Sequence, residues 1–105
     1  MLNNKLNGNG GHKPVPVPLE NKKLKFPVSY RLKAVLEASL GEEQDRQNLE
    51  TVFDSLQVAY TFHDRRSSSK GNYISYTYQV TLHSRPQMLE LYEKLKDVEG
   101  MKFAL

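Results

Sequence analysis

The sequence predicts an α+β domain whose elements follow the order β-α-β-β-α-β. In three stretches apolar residues recur at every second position, which is typical of strands with one buried and one exposed face. In two other stretches they recur at i, i+3, i+4 and i+7, the spacing of an amphipathic helix. A short apolar segment closes the chain, and the order of these stretches defines the fold class.

The first half of the chain contains one strand and one helix. The strand begins after Phe26. Its apolar phase comprises Val28, Tyr30, Leu32, Ala34 and Leu36. Ser39 precedes Glu42 by three residues, the spacing of a capping box, and this spacing predicts the start of the helix. The apolar stripe of the helix comprises Leu49, Val52, Phe53 and Leu56.

The second half begins with a hairpin. Its first strand is predicted around Tyr60 and Phe62, and a polar run separates it from the next strand. The apolar phase of that longer strand comprises Ile74, Tyr76, Tyr78, Val80 and Leu82. We expect Phe62 to lie opposite Ile74 and Tyr60 opposite Tyr76, because this register keeps inward residues opposite inward residues.

A second helix and a last strand complete the pattern. Ser84 and Gln87 repeat the capping-box spacing. The apolar stripe that follows comprises Met88, Leu91, Tyr92 and Leu95. Gly100 ends the helical segment, as glycine often does. The closing strand is expected to bury Met101, Phe103 and Leu105.

These elements predict one sheet with both helices on the same side. Right-handed crossovers place the two helices over one face of the sheet. We therefore expect a four-stranded antiparallel sheet with the strand order 4-1-3-2, in which the first and third strands are central. This arrangement is the ferredoxin-like βαββαβ sandwich.

The chain divides into a tail, residues 1–25, and a folded domain, residues 26–105. Asn, Gly, Lys and Pro dominate the tail, which has too little apolar surface to fold and is expected to be flexible. It holds five lysines and one glutamate, whereas the rest of the chain carries ten basic and eleven acidic side chains. The domain therefore lacks the basic balance of a typical nucleic-acid-binding protein.

The composition also excludes several kinds of chemistry. The chain has no cysteine, which removes disulfides, thiolate catalysis and cysteine metal sites. It has no apolar stretch of about 18 residues, and its N-terminus lacks the pattern of a secretory signal. We therefore expect a cytoplasmic protein that does not cross a membrane and uses no cofactor.

The histidines and serines do not predict an active site. His12 lies in the tail, while His63 and His83 end different strands at opposite ends of the expected hairpin, so they cannot share a metal ion. The serines at 67–69 lack the glycine-flanked turn that exposes a nucleophile. The turn 37–41 lacks the arginine with which acylphosphatases of this fold hold an anion. The sequence thus argues against an enzyme.

The polar run from Asp64 to Asn72 is one candidate binding surface. It combines two arginines, a lysine, hydroxyls and a glycine, which are groups that hold phosphate or carboxylate. Its nine residues are long for a hairpin loop, and long loops often carry function. A solvated tip is the alternative. With the residue that follows the run, the candidate binding residues are Arg65, Arg66, Ser68, Ser69, Lys70, Gly71, Asn72 and Tyr73.

The face of the sheet that the helices leave open is a second candidate surface. RNA-recognition motifs share this topology and stack bases on aromatic side chains of the central strands. Only Tyr73 is aromatic here, so nucleic acid is not the expected partner. A polar face of this kind suits water or a second copy in a homodimer. The residues expected on it are Ser29, Arg31, Lys33, Val35, Ala59, Thr61, Ser75, Thr77, Gln79, Thr81, Lys102 and Ala104.

The folded part of the chain resembles the bacterial YbeD-like family, whose members have no assigned function. The resemblance rests on the run Ser68-Ser69-Lys70-Gly71-Asn72-Tyr73 followed by Ser75. That family is similar to the ACT regulatory domains, which bind a small ligand beside a glycine in the turn after the first strand. Gly41 occupies roughly that place. The likeness to ACT domains, which regulate amino-acid-controlled enzymes, implies an amino acid as an effector. The family is also described as lipoate-linked, which implies a lipoate-related compound instead.

Taken with the residues, this resemblance predicts a non-enzymatic regulatory or protein-interaction module. Its expected partner is another protein or a second copy of the chain. An ACT-type sensor of an amino acid or a lipoate-related compound is the alternative, and an RNA-binding domain is a further one.

Overall fold

The computed structural model describes residues 24–105, which form one four-stranded sheet and two helices. Residues 1–23 of the predicted tail, including His12, lie outside the described residues. In chain order the elements are β1 (Val28–Glu37), α1 (Glu42–Ser55), β2 (Ala59–Ser67), β3 (Tyr73–Leu82), α2 (Arg85–Leu95) and β4 (Met101–Ala104).

The sheet has the order β2-β3-β1-β4, and every neighbouring pair of strands is antiparallel. β1 and β3 are each ten residues long and lie in the centre. They pair over their whole length, from Val28 opposite Leu82 to Glu37 opposite Tyr73. The predicted ferredoxin-like fold and its strand order are confirmed.

One face of the sheet forms the hydrophobic core together with α1 and α2. Tyr76, Tyr78 and Val80 of β3 are fully buried, as their alternation predicts. The helices add Leu49, Phe53, Met88, Leu91, Tyr92 and Leu95. Burying one apolar side chain of this size contributes about 1.5–3 kcal/mol to folding. Within the described residues, neither helix has the length and apolar character that a membrane crossing requires.

The two helices begin in different ways. Ser84 caps α2 as predicted, since its Oγ accepts a hydrogen bond from the Gln87 backbone N–H at 3.2 Å. The capping box predicted for α1 is wrong. Gly41 is the N-cap residue of α1, with a φ of 92°, and no side chain caps the helix. Ser39 lies two residues before this cap, and its backbone N–H donates to the Glu37 carbonyl in the preceding turn.

β2 is longer than its apolar pattern suggests, and the predicted hairpin register is wrong. Phe62 lies opposite Tyr78 rather than Ile74, and the neighbouring pair shifts with it. The strand continues through polar residues to Ser67. The connection to β3 is therefore only residues 68–72. Residues 64–67, which the apolar pattern assigned to a loop, pair with β3 through their backbones.

A β-bulge at His63 decides which side chains of β2 face the core. Before the bulge, Phe62 faces the helices together with Tyr78. After it, Arg65 lies opposite the buried Tyr76 and therefore faces the helices, while its neighbours face the open side. One extra residue in a strand has this effect because successive side chains point to opposite faces.

A second irregularity changes the faces of β4. Met101 and Ala104 are both buried, and Lys102 is the extra residue between the two paired segments. Phe103 lies opposite Val35 on the open face. The predictions that Phe103 and Leu105 point inward and that Ala104 lies on the open face are therefore wrong, because the bulge reverses the alternation after Lys102.

Candidate functional site

The hairpin turn between β2 and β3 is built by its own polar groups. The Ser68 N–H donates to the Tyr73 carbonyl at 2.8 Å, and the Tyr73 N–H donates to Ser68 Oγ at 3.1 Å. The Gly71 N–H donates to the Ser68 carbonyl at 2.9 Å, and its φ of 75° favours glycine. Ser68 and Gly71 thus serve the turn, whereas Ser69 and Lys70 are exposed at its tip.

The two arginines of the predicted binding surface are residues of β2 and face opposite sides of the sheet. Arg65 points toward α1, where its Nε lies 3.6 Å from a carboxylate oxygen of Glu42. Arg66 lies on the open side, with its Nε 3.3 Å from Asp64 Oδ2 and its side chain 81% exposed. Of these two arginines, only Arg66 is therefore available to a partner on the open side.

The turn that contains Gly41 lies beside the hairpin turn. The Ala38 backbone N–H donates to the Asn72 carbonyl at 2.9 Å, which joins the two turns at one end of the sheet. A Cβ atom placed on Gly41 or on Gly71 would have no neighbour within 4 Å, so both glycines border open space. Two predicted features that are far apart in sequence thus meet at this end.

A buried carboxylate lies on the inner face of α1, and the sequence pattern did not reveal it. Asp45 is 1% exposed, and its Oδ2 accepts a hydrogen bond from the Tyr76 hydroxyl at 2.6 Å. Burial, together with this hydrogen bond, raises the pKa of Tyr76 to about 12. The Asp45 Oδ1 has no hydrogen-bond partner among the described residues. One signal was available, because Asp45 lies four residues before Leu49 and so shares its helical face.

A second polar cluster joins α1 to β2 and β3. The Arg46 guanidinium carbon lies 3.8 Å from the ring centre of Phe62, and Arg46 Nε donates to Glu50 at 3.1 Å. Glu50 also accepts a 2.8 Å hydrogen bond from the Tyr78 hydroxyl. Burial and this hydrogen bond raise the pKa of Tyr78. Because its charges are paired, the cluster fastens α1 to the sheet rather than offering charge to a ligand.

The open face of the sheet is polar toward the start of β1. Ser29 Oγ and Thr81 Oγ1 share a hydrogen bond of 2.8 Å across the two central strands. The next pair on the same face is Arg31 opposite Gln79. Hydroxyl, amide and guanidinium groups therefore occupy this half of the face.

Toward the end of β1 the open face becomes partly apolar. Phe103 lies opposite Val35, and both are half-buried. Leu105 exchanges two backbone hydrogen bonds with Lys33, of 3.0 and 2.9 Å, and is 48% exposed. Lys102 Nζ lies 5.6 Å from the ring centre of Tyr73. The bulge in β4 creates this apolar group, because it brings Phe103 to the open side.

The histidines of the described part lie apart. His63 occupies the bulge of β2, and His83 follows β3. Within residues 24–105, no three or more His, Asp or Glu side chains lie together in a way that could hold a metal ion.

Comparisons with known proteins identify the family of the chain. Residues 21–105 match the family model described as a protein of unknown function, DUF493. UPF0250 proteins of Shewanella piezotolerans and Shewanella loihica are 37% and 34% identical, and each comparison covers 78% of this chain and 90% of the relative.

The solution structure of protein HP0495 from H. pylori has a TM-score of 0.60 and 10% sequence identity, over 90% of this chain and 98% of that one. At this identity the likeness shows the fold alone. The resemblance to the YbeD-like family is confirmed by the sequence relatives, and the chain belongs to the DUF493 family of proteins of unknown function.

Proposed function

We propose that the chain is a non-catalytic interaction or regulatory module that binds another protein, or a second copy of itself, through the open face of its sheet. Both helices pack on the opposite face. The observation that carries the proposal is the apolar group of Val35, Phe103 and Leu105, which no helix of the described residues covers. Apolar groups bordered by polar ones on a protein surface are frequent at protein contacts.

The exposed end of the hairpin is the second part of the proposed surface. Arg66 lies opposite Ser75, which in turn lies opposite Val35, so all three share one row of the open face. Ser69 and Lys70 are exposed beyond this row. A cytoplasmic location is part of the proposal, because a chain without cysteine gains no disulfide in an oxidising compartment.

The test compares two leucines of nearly equal exposure on opposite sides of the molecule. Leu105 on the open face is 48% exposed, and Leu89 on α2 is 47% exposed. We expect Leu105→Glu to lose the partner that co-purifies with the tagged full chain, or the dimer measured by sedimentation, because it places a charge in the apolar contact. Leu89→Glu should keep it. A wild-type chain that sediments as a monomer and retains no partner would contradict the proposal.

The hairpin end is tested by Arg66→Ala combined with Lys70→Ala. Both side chains are exposed, so the melting temperature should change little. Binding of the same partner should weaken. Unchanged binding would remove the hairpin end from the proposed surface.

A second candidate function is an ACT-type sensor of an amino acid or a lipoate-related compound. It is favoured by the Ala38–Asn72 hydrogen bond, which brings the turn of Gly41 beside that of Gly71, both next to open space. A ligand at 100 times its dissociation constant stabilises a protein by about 2.7 kcal/mol. A thermal-shift screen with amino acids and lipoate should then show a clear rise in melting temperature with at least one compound, and no rise with any compound would reject this function.

A further inference from the structure

We infer that the partner presents an acidic segment, whose carboxylates bind Arg31 and Lys33 and whose apolar side chains pack on Val35, Phe103 and Leu105. These five residues are called the β1–β4 patch below. The inference rests on the proposed function, since it names the chemistry of the partner that the open face binds.

The charged half of the β1–β4 patch is a pair of cations on a central strand. Arg31 and Lys33 lie two residues apart on β1, about 7 Å along the strand, and both are exposed. Within residues 24–105 neither forms an ion pair. Their neighbours on β3 are the neutral Gln79 and Thr77. The pair therefore carries positive charge that the described part of the chain leaves unpaired.

The acidic groups of the open face do not neutralise these cations. Asp64 lies on the far side of Thr77, where its carboxylate contacts Arg66 at 3.3 Å and accepts a hydrogen bond from the Arg65 N–H at 2.7 Å. Glu37 lies at the end of β1, opposite Tyr73. No carboxylate side chain of residues 24–105 therefore forms an ion pair with Arg31 or Lys33.

The apolar half of the patch adjoins the charged half directly. Val35 follows Lys33 on the same face, Phe103 lies opposite Val35, and Leu105 lies beside Lys33. A purely acidic ligand would leave this surface in water. A segment that alternates acidic and apolar side chains would use the whole patch, since burial of apolar area adds to charge pairing.

A second copy of the chain is a poor occupant of this patch. A two-fold interface uses the same surface on both copies, so an interface through this patch would enclose Arg31 and Lys33 of both copies, four cations in all. Like charges across an interface oppose association. The partner expected from this charge pattern is a different protein.

Single-stranded nucleic acid is also disfavoured as an occupant. Binding of this kind depends on aromatic rings on which bases stack. Phe103 is half-buried beside Val35, and Lys102 lies over the ring of Tyr73. Glu37, opposite Tyr73, would repel the phosphates. The face therefore offers phosphate-binding charge without a free stacking surface next to it.

The test uses the full chain and a fluorescent peptide of about ten residues made only of glutamate and leucine. We expect the peptide to shift the backbone amide resonances of residues 31–35 and 102–105. Its affinity should fall as the salt concentration rises from about 50 mM to about 500 mM, because exposed ion pairs are screened. Arg31→Glu combined with Lys33→Glu should weaken binding by about tenfold or more.

The matched control reverses two exposed cations on α2. Arg85→Glu combined with Lys94→Glu makes the same change in net charge on the opposite side of the molecule, and it should bind like the wild type. Equal loss in both double variants would overturn the inference. It would also be overturned by equal binding of a lysine–leucine peptide, or by tighter binding of an oligouridine RNA of about ten nucleotides.

The inference and the proposed function fail in different ways. If a partner protein is lost with Leu105→Glu but retained by the Arg31→Glu, Lys33→Glu variant, the acidic segment is wrong and the proposed function stands. If Leu105→Glu and Leu89→Glu retain the partner equally, the open face is not the interface, and the proposed function and the acidic-segment inference are both wrong.

Discussion

Asp45 and Tyr76 form a fully buried contact between α1 and the centre of the sheet. Burying a carboxylate without hydrogen bonds is costly, and the Tyr76 hydroxyl supplies the bond that Asp45 Oδ2 accepts. We expect Asp45→Ala to lower the free energy of unfolding by about 1–3 kcal/mol, because it leaves the Tyr76 hydroxyl buried without an acceptor. Asp45→Asn keeps an acceptor oxygen and should cost less. Urea denaturation measures both.

Glu43 provides the matched control for this prediction. It lies in the same first turn of α1 but is exposed. Glu43→Ala should therefore change the free energy of unfolding by no more than about 0.5 kcal/mol. Equal costs for Glu43→Ala and Asp45→Ala would mean that the helix dipole, which both carboxylates share, matters more than the buried hydrogen bond.

The two helices differ in whether a side chain caps their first turn. Ser84 caps α2 through its side chain, whereas α1 begins at Gly41 without a side-chain cap. Ser84→Ala should lower the free energy of unfolding by about 1 kcal/mol. Ser39→Ala should cost much less, since Ser39 caps nothing. Thermal or urea unfolding that gives the two variants equal losses would contradict this assignment.

The strands also show which features a sequence can predict. Periods of two and 3.6 identify β1, β3 and both helices because their buried faces are apolar and their exposed faces polar. The bulges escape this pattern. Asp64, Arg65 and Arg66 are all polar, so nothing in the sequence tells which of them faces the helices. In the short β4, simple alternation would place Met101 and Phe103 on the same face of the sheet. The observed register with β1 places them on opposite faces.

The candidate site was predictable only in part for the same reason. The exposed tip at Ser69 and Lys70 follows from composition, since polar residues with glycine predict a turn. The separation of Arg65 from Arg66 depends on the bulge at His63. The apolar part of the open face depends on the irregularity in β4. Asp45 was hidden because an acidic residue in a first helical turn also has an ordinary role on the surface.

At the scale of the whole molecule, tyrosine burial links the fold to alkaline pH. Burial raises the pKa of five tyrosines, namely Tyr30, Tyr60, Tyr76, Tyr78 and Tyr92. Tyr30 and Tyr92 also share a hydrogen bond between their hydroxyls, 2.6 Å long. The folded state therefore holds these phenolic protons more tightly than the unfolded state, whose tyrosines titrate near pH 10.

The sign of the resulting pH dependence follows directly. The stabilisation is fully present below pH 10 or so and is lost as the pH rises through the folded pKa, which is about 12 for Tyr76. Between about pH 10 and pH 12, we expect the tyrosinate absorbance of the native protein to be lower than that of the urea-unfolded protein at the same pH. The free energy of unfolding should fall over the same pH range. Coincident titration curves for the two states would contradict this expectation.

Both borders of the sheet are interrupted, at His63 in β2 and at Lys102 in β4. An incoming strand would find evenly spaced donors and acceptors only up to each interruption, so lateral growth of the sheet toward a fibril is obstructed on both flanks. Within residues 24–105, the broad side of the sheet that the helices leave open is therefore flanked by two irregular edges, which do not favour strand-to-strand polymerisation. A variant lacking His63 would have a more regular border on one flank, where the charged side chains of Asp64, Arg65 and Arg66 would be the remaining local obstacle to an incoming strand.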